Sequence, residues 1–316
     1  MTDPTNQARY PLRAVMRRTG LSADVIRAWE RRYGAVTPTR SEGGQRLYTE
    51  DDVVRLALLR KATSDGHSIG EIARLDESAL TALATRGRGN EQRAVNGSVD
   101  RAIVAEALAA TEALDQGALE GVLKRAVLSL GASRFVDTIA ADVLRQVGDR
   151  WHAGTLAPFH EHLASDTMRR VLAWVSDAYE PDQSAPVVVV ATPATEHHEL
   201  GAMIVAAAAA EEGWRVVYLG ANLTAADIAA AAGKVRANVV ALSVVYANGE
   251  ASLREIRETA RTLPQSVALV VGGSAAVQMG VERLGPSVRL LADIASLRAL
   301  LRARREVRAD SSVERE

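Results

Sequence analysis

The sequence contains no cysteine, which excludes disulfide bonds and thiolate metal sites. Any metal ion must therefore be bound by histidine, aspartate or glutamate side chains. Long apolar runs are also lacking, and none approaches the ~18 residues that a membrane-spanning helix needs. The first ten residues contain no apolar core of a secretion signal, so we expect a cytoplasmic protein without a membrane segment.

Net positive charge is confined to the N-terminal region. The 316 residues include 38 Lys and Arg and 39 Asp and Glu, a net charge of −1. Residues 1–61 contain 12 of the basic and 7 of the acidic residues, a net charge of +5, which leaves −6 for the remainder. This asymmetry favours an anionic partner for the N-terminal region, with chance asymmetry as the alternative.

Hydrophobic periodicity divides the chain into five segments and predicts a multidomain protein of the α and α/β classes. Short helical segments with one glycine-rich hairpin occupy 1–82, and the polar, glycine-containing stretch 83–99 is typical of a linker. Ala- and Leu-rich helical periodicity at 100–182 predicts a four-helix bundle. Five apolar, β-branched runs alternate with helical segments at 183–306, which predicts a Rossmann-like parallel sheet in the flavodoxin-like order 2-1-3-4-5. The charged residues 307–316 predict a frayed tail.

The N-terminal segment has the pattern of a helix-turn-helix. Gly20 favours a left-handed turn after a first helix, and Ser22 is a typical N-cap for a second. Trp29 and its apolar neighbours lie on one face of this second helix, which leaves Arg27 and Arg31 on another. Taken alone, an amphipathic helix with solvated arginines is the better interpretation of this pattern.

A glycine-rich turn after the second helix favours DNA binding instead. Gly43 and Gly44 separate two short extended segments, which predicts a hairpin wing that presents Arg40 and Arg46 to DNA. The acidic residues 50–52 then open another helix, at the positive end of its dipole. A helix, a wing and a following helix in this order are the parts of a winged helix-turn-helix whose second helix enters the major groove.

The N-terminal region resembles the MerR family of transcription regulators. The residues that carry the resemblance, within 10–78, are Trp29-Glu30-Arg31-Arg32-Tyr33-Gly34, Pro38, Arg40, Gly43-Gly44, Arg46, Tyr48 and Asp52. The resemblance implies double-stranded operator DNA as the partner. It implies DNA contacts by Arg27, Arg31, Arg32, Arg40, Arg46 and Tyr48. Leu47 stands where many members have a basic or aromatic residue, which affects one wing contact and not the fold.

A histidine-containing loop follows the first predicted strand of the sheet. Open α/β sheets bind ligands at this edge, beside the switch point of the strand order. Glu196 precedes His198 by two residues, a spacing at which a carboxylate accepts the second ring N–H and raises the basicity of the other nitrogen. Small residues at the ends of the third and fourth strands, Ser243 and Gly272-Gly273, leave a slot beside this loop. A lone loop histidine is most often solvated, but the slot and the spacing favour a ligand site.

The loop and the slot resemble the cobalamin-binding Rossmann-like family, whose motif is Asp-x-His-x-x-Gly. The resemblance implies that His198 is the lower axial ligand of cobalt, in place of the cofactor's own dimethylbenzimidazole. It implies that Glu196 orients this histidine, that Gly201 allows close approach of the corrin, and that the nucleotide tail occupies the slot at Ser243 and Gly272-Gly273. Glu196 keeps the acceptor of the commoner aspartate and lengthens its reach.

Two short motifs in the bundle resemble the cap of the CarH/LitR-type photoreceptor regulators. They are Trp151-His152 and, ten residues later, Glu161-His162. Taken alone, Trp151 is most often a core residue. The resemblance implies that Trp151, Glu161 and His162 line the pocket of the upper 5′-deoxyadenosyl group of adenosylcobalamin. It implies that His152 binds cobalt from above after light has removed that group.

These resemblances together predict a light-responsive transcriptional repressor. It binds operator DNA in the dark with adenosylcobalamin, as a tetramer, and releases the DNA on photolysis. A regulator that senses cobalamin concentration and a cobalamin-independent MerR-type regulator are the alternatives. A cobalamin enzyme is disfavoured, because such enzymes need a substrate barrel and no segment of that size remains.

Overall fold

A computed structural model of the chain describes residues 9–41, 43–86, 90–246, 250–285 and 287–313. The chain divides into two compact units, Met1–Glu180 and Pro181–Glu316. None of the described helices combines the length and the apolar character that crossing a membrane requires.

The first unit begins with the winged helix-turn-helix. Its elements are β1 (Tyr10–Pro11), α1 (Leu12–Thr19), α2 (Ala23–Ala28) with a π-helical extension (Trp29–Tyr33), β2 (Thr39–Arg40), β3 (Arg46–Tyr48), α3 (Glu50–Ser64), α4 (Ile69–Ile72) and α5 (Glu77–Arg86). The three strands pair antiparallel in the order β1-β3-β2, so the wing is a hairpin as expected. Glu42, at its tip, lies outside the described residues.

Local signals define the helices of this region. Gly20 ends α1 in the left-handed conformation, and the Ser22 hydroxyl caps α2 by accepting from the Val25 amide at 3.3 Å. A capping box between Thr49 and Asp52 starts α3. The inward face of α2 contributes Val25, Ile26 and Trp29 to a buried core, which confirms the predicted burial pattern.

The rest of the first unit is a bundle of four helices among the described residues. They are α6 (Asn90–Glu112), α7 (Gln116–Leu130), a third helix made of α8 (Ala132–Arg134), a π-helical turn (Phe135–Ala140) and α9 (Ala141–His152), and α10 (Pro158–Asp177). The bundle contacts the N-terminal region directly. Trp29 donates its indole N–H to the Leu128 carbonyl at 3.0 Å, and the buried Arg134 side chain bonds the Gly66 carbonyl and Asp100. The N-terminal region and the bundle therefore form one compact unit.

Two segments that were predicted as a linker and a frayed tail are largely helical among the described residues. Much of the predicted linker 83–99 is helical, since α5 runs to Arg86 and α6 begins at Asn90, while its glycines at 87–89 lie outside the described residues. Good helix formers between the two glycine-containing stretches outweigh the cost of Gly97. The predicted tail is also helical as far as Val313, because arginine, glutamate and alanine continue the preceding helix.

The second unit alternates strands and helices. Its elements are β4 (Val187–Pro193), α11 (Leu200–Glu211), β5 (Arg215–Leu223), α12 (Ala225–Lys234), β6 (Val239–Ser243), α13 (Glu250–Thr262), β7 (Ala268–Gly272), α14 (Ser274–Gln278), a 3-10 turn (Val281–Leu284), β8 (Val288–Leu290) and α15 (Ile294–Val313). The described strands form a parallel sheet in the order β5-β4-β6-β7-β8, which confirms the predicted 2-1-3-4-5 order.

The sheet order brings the predicted ligand loop beside the predicted slot. Strand β4 is buried along its whole length and pairs with β5 on one side and β6 on the other. Because parallel strands end at the same edge, the loop after β4 lies next to the ends of β5 and β6.

The C-terminal helix is attached to α11 by ion pairs. Arg298 is 4% exposed and bonds Glu211 at 2.7 Å and Glu212 at 3.0 Å. Arg302 adds two further bonds to the Glu212 carboxylate, at 2.7 and 2.6 Å. These contacts lie at the end of α11 away from the loop.

Candidate functional site

The loop after β4 is organised around the side chain of Glu196, which is 1% exposed. One carboxylate oxygen accepts from the backbone amide of His198 at 2.8 Å and contacts the His198 Nδ1 atom at 2.6 Å. The other oxygen accepts from the backbone amides of Val245 and Tyr246, at 2.8 and 2.7 Å. A buried carboxylate with this set of partners is stable in its ionised form.

The pKa of Glu196 reflects the balance between burial and these bonds. Burial by itself raises the pKa of this carboxyl. The amides of Tyr246 and His198, the His198 ring and the amide of Val245 act in the opposite direction and together hold the pKa below its ordinary value. Glu196 is therefore an anion that accepts hydrogen bonds, as the sequence spacing predicts.

The contact with Glu196 defines which nitrogen of His198 is available to a ligand. Because Nδ1 donates to the carboxylate in the neutral ring, the lone pair for a metal ion lies on Nε2. The side chain is 56% exposed, so a large ligand has access to it. Among the described residues, no group of three or more histidine, aspartate or glutamate side chains comes together that could hold a metal ion.

Small residues bring the loop against the ends of β6 and β7. A Cβ atom on Gly201 would lie 2.5 Å from the Ser243 Oγ atom, so only glycine allows α11 to begin this close to β6. Gly273 has a φ of 105°, and a Cβ atom there would lie 2.2 Å from the Val244 carbonyl oxygen. The predicted slot residues Ser243 and Gly272-Gly273 thus lie on neighbouring strand ends, where the sheet is lined by backbone.

The bundle residues predicted for the upper face lie at the end of α9 and the start of α10. Trp151 is 40% exposed, and its ring packs edge-on against His152 with centroids 4.8 Å apart. His152 Nδ1 lies 2.7 Å from the Gly148 carbonyl of its own helix. Glu161 accepts from the Ser165 hydroxyl at 2.5 Å. The His162 Nε2 atom lies 3.8 Å from the other carboxylate oxygen of Glu161. These residues make local contacts, with the Trp151 ring exposed and the Glu161 side chain partly buried.

The predicted DNA-binding arginines are distributed over α2, its π-helical extension and the wing. Arg27 has a side chain that is 52% exposed and lies 3.8 Å from Asp24. Arg31, Arg32 and Arg40 are also exposed. Arg46 is instead paired with Glu30 through its Nε atom at 2.9 Å, which ties the wing to the end of the second helix.

Tyr48 does not lie where a DNA contact by its side chain requires. Its side chain is fully buried in the core of the N-terminal region, and burial raises the pKa of its hydroxyl to about 12. The alternation of β3 points Tyr48 inward, on the face opposite Leu47. The predicted contact by the Tyr48 side chain is therefore wrong for this conformation. The residue instead packs the wing strand β3 onto the core of the N-terminal region.

Two parts of the site were absent from the sequence prediction. The amides of Val245 and Tyr246 hold Glu196, but backbone donors leave no trace in residue identity. Asn222, at the end of β5, bonds the same loop through its side chain. An asparagine next to a glycine-containing strand end is a turn signal, and this was the available indication.

Family models cover each of the structured regions. Residues 10–79 match the MerR HTH family of regulatory proteins. Residues 103–176 and residues 186–300 match two models that are each described as a B12 binding domain. These matches place the winged helix-turn-helix, the bundle and the sheet in separate families.

Two relatives from Myxococcus xanthus match most of the chain. The HTH-type transcriptional repressor CarH is 34% identical over 274 residues, which is 84% of this chain and 89% of CarH. The HTH-type transcriptional repressor CarA is 32% identical over 269 residues, 83% of this chain and 85% of CarA. A solved structure of the monomethylamine corrinoid protein from Methanosarcina barkeri is more distant, with 16% identity, a TM-score of 0.49, and coverage of 65% of this chain and 96% of that one.

Proposed function

This chain belongs to the family of MerR-type transcriptional regulators with B12-binding domains that includes the repressor CarH, and we propose that it is a light-responsive repressor with adenosylcobalamin as its cofactor. In the dark the protein binds operator DNA, and in light it releases the DNA. As a repressor that binds operator DNA, it would act in the cytoplasm.

The Glu196–His198 pair is the observation that carries this proposal. The carboxylate is anchored by backbone amides from two loops, so the imidazole is oriented before any ligand arrives. An imidazole that donates from Nδ1 to a carboxylate is a stronger ligand through Nε2. This is the arrangement that a lower axial ligand of cobalt needs.

The other residues of the sheet unit fit a corrinoid as well. Gly201 keeps the start of α11 free of a side chain that would push Ser243 away. Ser243 and Gly272-Gly273 would receive the nucleotide tail of the cofactor, where side chains are small. When bound, adenosylcobalamin supplies a cobalt–carbon bond that light cleaves.

The bundle residues would act on the upper face. Glu161 would accept hydrogen bonds from the ribose hydroxyls, and Trp151 would pack on the sugar or adenine, with His162 beside them. Loss of the upper group would allow His152 to bind cobalt through Nε2, since its Nδ1 atom contacts the Gly148 carbonyl of its own helix. A change of this kind in the cap is a way to bias an assembly between two states.

The N-terminal region would contact the operator through Arg27, Arg31, Arg32 and Arg40, with Arg46 at the base of the wing. We propose self-association in the dark, as a tetramer, so that several N-terminal regions engage one operator. Each further contact is then effectively intramolecular, which raises the overall affinity for DNA. Dissociation of the assembly in light would remove this gain.

The proposal is tested on the full chain loaded with adenosylcobalamin in darkness. Its visible spectrum, its size by light scattering and its affinity for operator DNA are measured before and after green light. We expect corrin absorbance, a large dark species, and a smaller species with weaker DNA binding after light. In the dark, the His152→Ala variant should have the spectrum, size and DNA affinity of the wild type. After light, its spectrum should differ from the wild-type spectrum.

The same measurements separate the alternatives. A chain without corrin absorbance would be a cobalamin-independent regulator. A chain whose size and DNA affinity respond to cobalamin concentration, and not to light, would be a sensor of the cofactor.

A further inference from the structure

Two residues with left-handed backbones lie at the carboxyl ends of β4 and β5. Thr195, in the loop after β4, has a φ of 74°, and Asn222, near the end of β5, has a φ of 61°. Residues other than glycine seldom adopt this conformation, and asparagine does so more readily than a β-branched residue. The conformation of Thr195 therefore depends on contacts that hold it.

Asn222 makes those contacts with both its side chain and its backbone. Its Oδ1 atom accepts from the Thr195 amide at 2.8 Å. Its own amide lies 3.1 Å from the Glu196 carbonyl oxygen and 2.9 Å from the Thr192 Oγ1 atom. The Thr192 hydroxyl in turn donates to the Glu196 carbonyl at 2.5 Å. One residue of β5 thus contacts the chain at Thr192 in β4 and at Thr195 and Glu196 in the loop that follows.

Glu196 is consequently held at both of its ends. Its carboxylate accepts from the amides of Val245 and Tyr246, which follow β6. Its main-chain carbonyl accepts from the amide of Asn222, which belongs to β5. Because β5 and β6 flank β4 in the sheet, the two sets of contacts come from opposite sides. The donors from β6 are backbone groups, whereas the contact to Thr195 depends on the identity of a side chain.

We infer that Asn222 is a positioning residue for the cobalt ligand: its Oδ1 atom holds the turn at Thr195, and this turn sets the main chain of Glu196 and through it the ring of His198. The inference rests on the proposed function, because it takes His198 to be the lower ligand. Two properties are required at this position, a backbone that tolerates positive φ and a side-chain oxygen three bonds from Cα.

Substitutions at this position separate the two properties. Asn222→Asp keeps the oxygen and the tolerance for positive φ. Asn222→Gly keeps the backbone freedom and removes the oxygen. Asn238→Ala serves as a matched control, because the Asn238 Oδ1 atom accepts from the Val187 amide at 2.9 Å, at the opposite end of β4.

The experiment titrates each full-length variant with adenosylcobalamin in darkness. The dissociation constant is measured together with the visible spectrum of the bound corrinoid, which reports whether an imidazole occupies the lower axial position. Thermal unfolding of each unloaded variant defines a temperature at which all are folded. We expect Asn222→Gly to weaken binding about tenfold, the lower end of the effect of outer-shell residues. We also expect a larger fraction of its bound corrinoid to lack the imidazole ligand, and Asn222→Asp to restore both readouts.

The outcomes distinguish this inference from the function on which it rests. Wild-type affinity and a wild-type spectrum in Asn222→Gly would overturn the role of Asn222 and leave the role of His198 intact. Equal losses in Asn222→Gly, Asn222→Asp and Asn238→Ala would also overturn it, because general destabilisation of the sheet would then be the cause. Wild-type protein that binds no corrinoid, or binds it without an imidazole ligand, would instead contradict the proposed function.

Discussion

The residues proposed for the two faces of the corrin are organised to different degrees. On the sheet, Glu196 is almost fully buried and accepts three backbone amides and a ring N–H, so contacts within the protein orient His198. On the bundle, His152 and Glu161 bond to atoms of their own helices, and Trp151 is 40% exposed.

This difference is the one expected if His198 is a preorganised ligand and the bundle residues form a cap that changes its contacts. A preorganised side chain binds tightly because little conformational entropy is lost on binding. A side chain with only local contacts can change partners at small cost, which a switch requires. Four predictions test this contrast, ordered by their expected effect on the affinity for cobalamin.

The largest effect is expected from removal of the fixed ligand itself. His198→Ala should weaken retention of adenosylcobalamin by on the order of 100-fold, at or above the upper end of the effect of losing an outer partner of a metal ligand. The neighbouring His197→Ala is the control, since His197 is also exposed on the same loop. Equilibrium dialysis measures both variants, and full retention by His198→Ala would refute its role as ligand.

A smaller loss is expected when the anchor of the ligand is changed. Glu196→Gln keeps the shape of the side chain but turns an NH₂ group towards backbone donors, so we expect binding to weaken by roughly 10-fold or more. The variant should also lose about 1–3 kcal/mol of stability in denaturant titrations, since buried amides lose their acceptor. Glu199→Gln is the control, because Glu199 lies at the end of the same loop and accepts from the Tyr218 hydroxyl at 2.8 Å. Equal effects in the two variants would mean that cobalamin binding and stability respond to the loss of either carboxylate in the loop, and not to the contact with His198.

The cap should contribute less to affinity, and only when the upper group is present. Glu161→Ala should weaken adenosylcobalamin about threefold to tenfold, as expected for one hydrogen bond of about 1 kcal/mol. Hydroxocobalamin, which has no adenosyl group, should bind this variant as it binds the wild type. If both corrinoids were weakened alike, Glu161 would act on the fold of the bundle and the contrast between the faces would fail.

No change in affinity is expected from a substitution that destabilises the sheet unit away from the loop. Glu212→Gln removes the charge and one of the two oxygens that accept from Arg298 and Arg302, and should lower stability by about 1–3 kcal/mol. Denaturant titration measures that loss, and cobalamin titration should show wild-type affinity. A matching loss of affinity would mean that the loop is organised by the stability of the whole unit and not by its own contacts.

The stability loss in Glu212→Gln should also depend on pH. Burial by itself raises the pKa of Glu212, but the bonds from Arg302 and Arg298 hold it below the ordinary value of 4.5. A carboxyl whose pKa is lower in the folded state stabilises that state above its unfolded pKa and loses this contribution as pH falls through the folded pKa. The difference between wild type and variant should therefore be full above pH 4.5 and shrink at lower pH.

Much of the candidate site was predictable because it depends on spacing along the chain. Glu196 and His198 are two residues apart, a spacing at which a turn after a strand can bring the two side chains into contact. Gly201 and Ser243 could be paired from the strand order, since parallel strands that neighbour β4 end at the same edge.

Other features depend on contacts between residues far apart in sequence. The amides after β6 that hold Glu196, and the side chain of Asn222, reach the loop only once the sheet has formed. The burial of Tyr48 and the pairing of Arg46 with Glu30 likewise follow from how the wing packs. The helix in place of the linker arose because propensity over several residues exceeded the signal of isolated glycines.

Periodicity and short motifs, which are local properties of the chain, were enough to predict the winged helix-turn-helix, the bundle, the strand order and the Glu196–His198 pair. The folded structure was needed to see that Glu196 is held by backbone amides from beyond β6, whereas His152 and Glu161 bond within their own helices. The reason is that orientation depends on donors and acceptors from separate strands, and backbone groups that supply them are the same in every sequence.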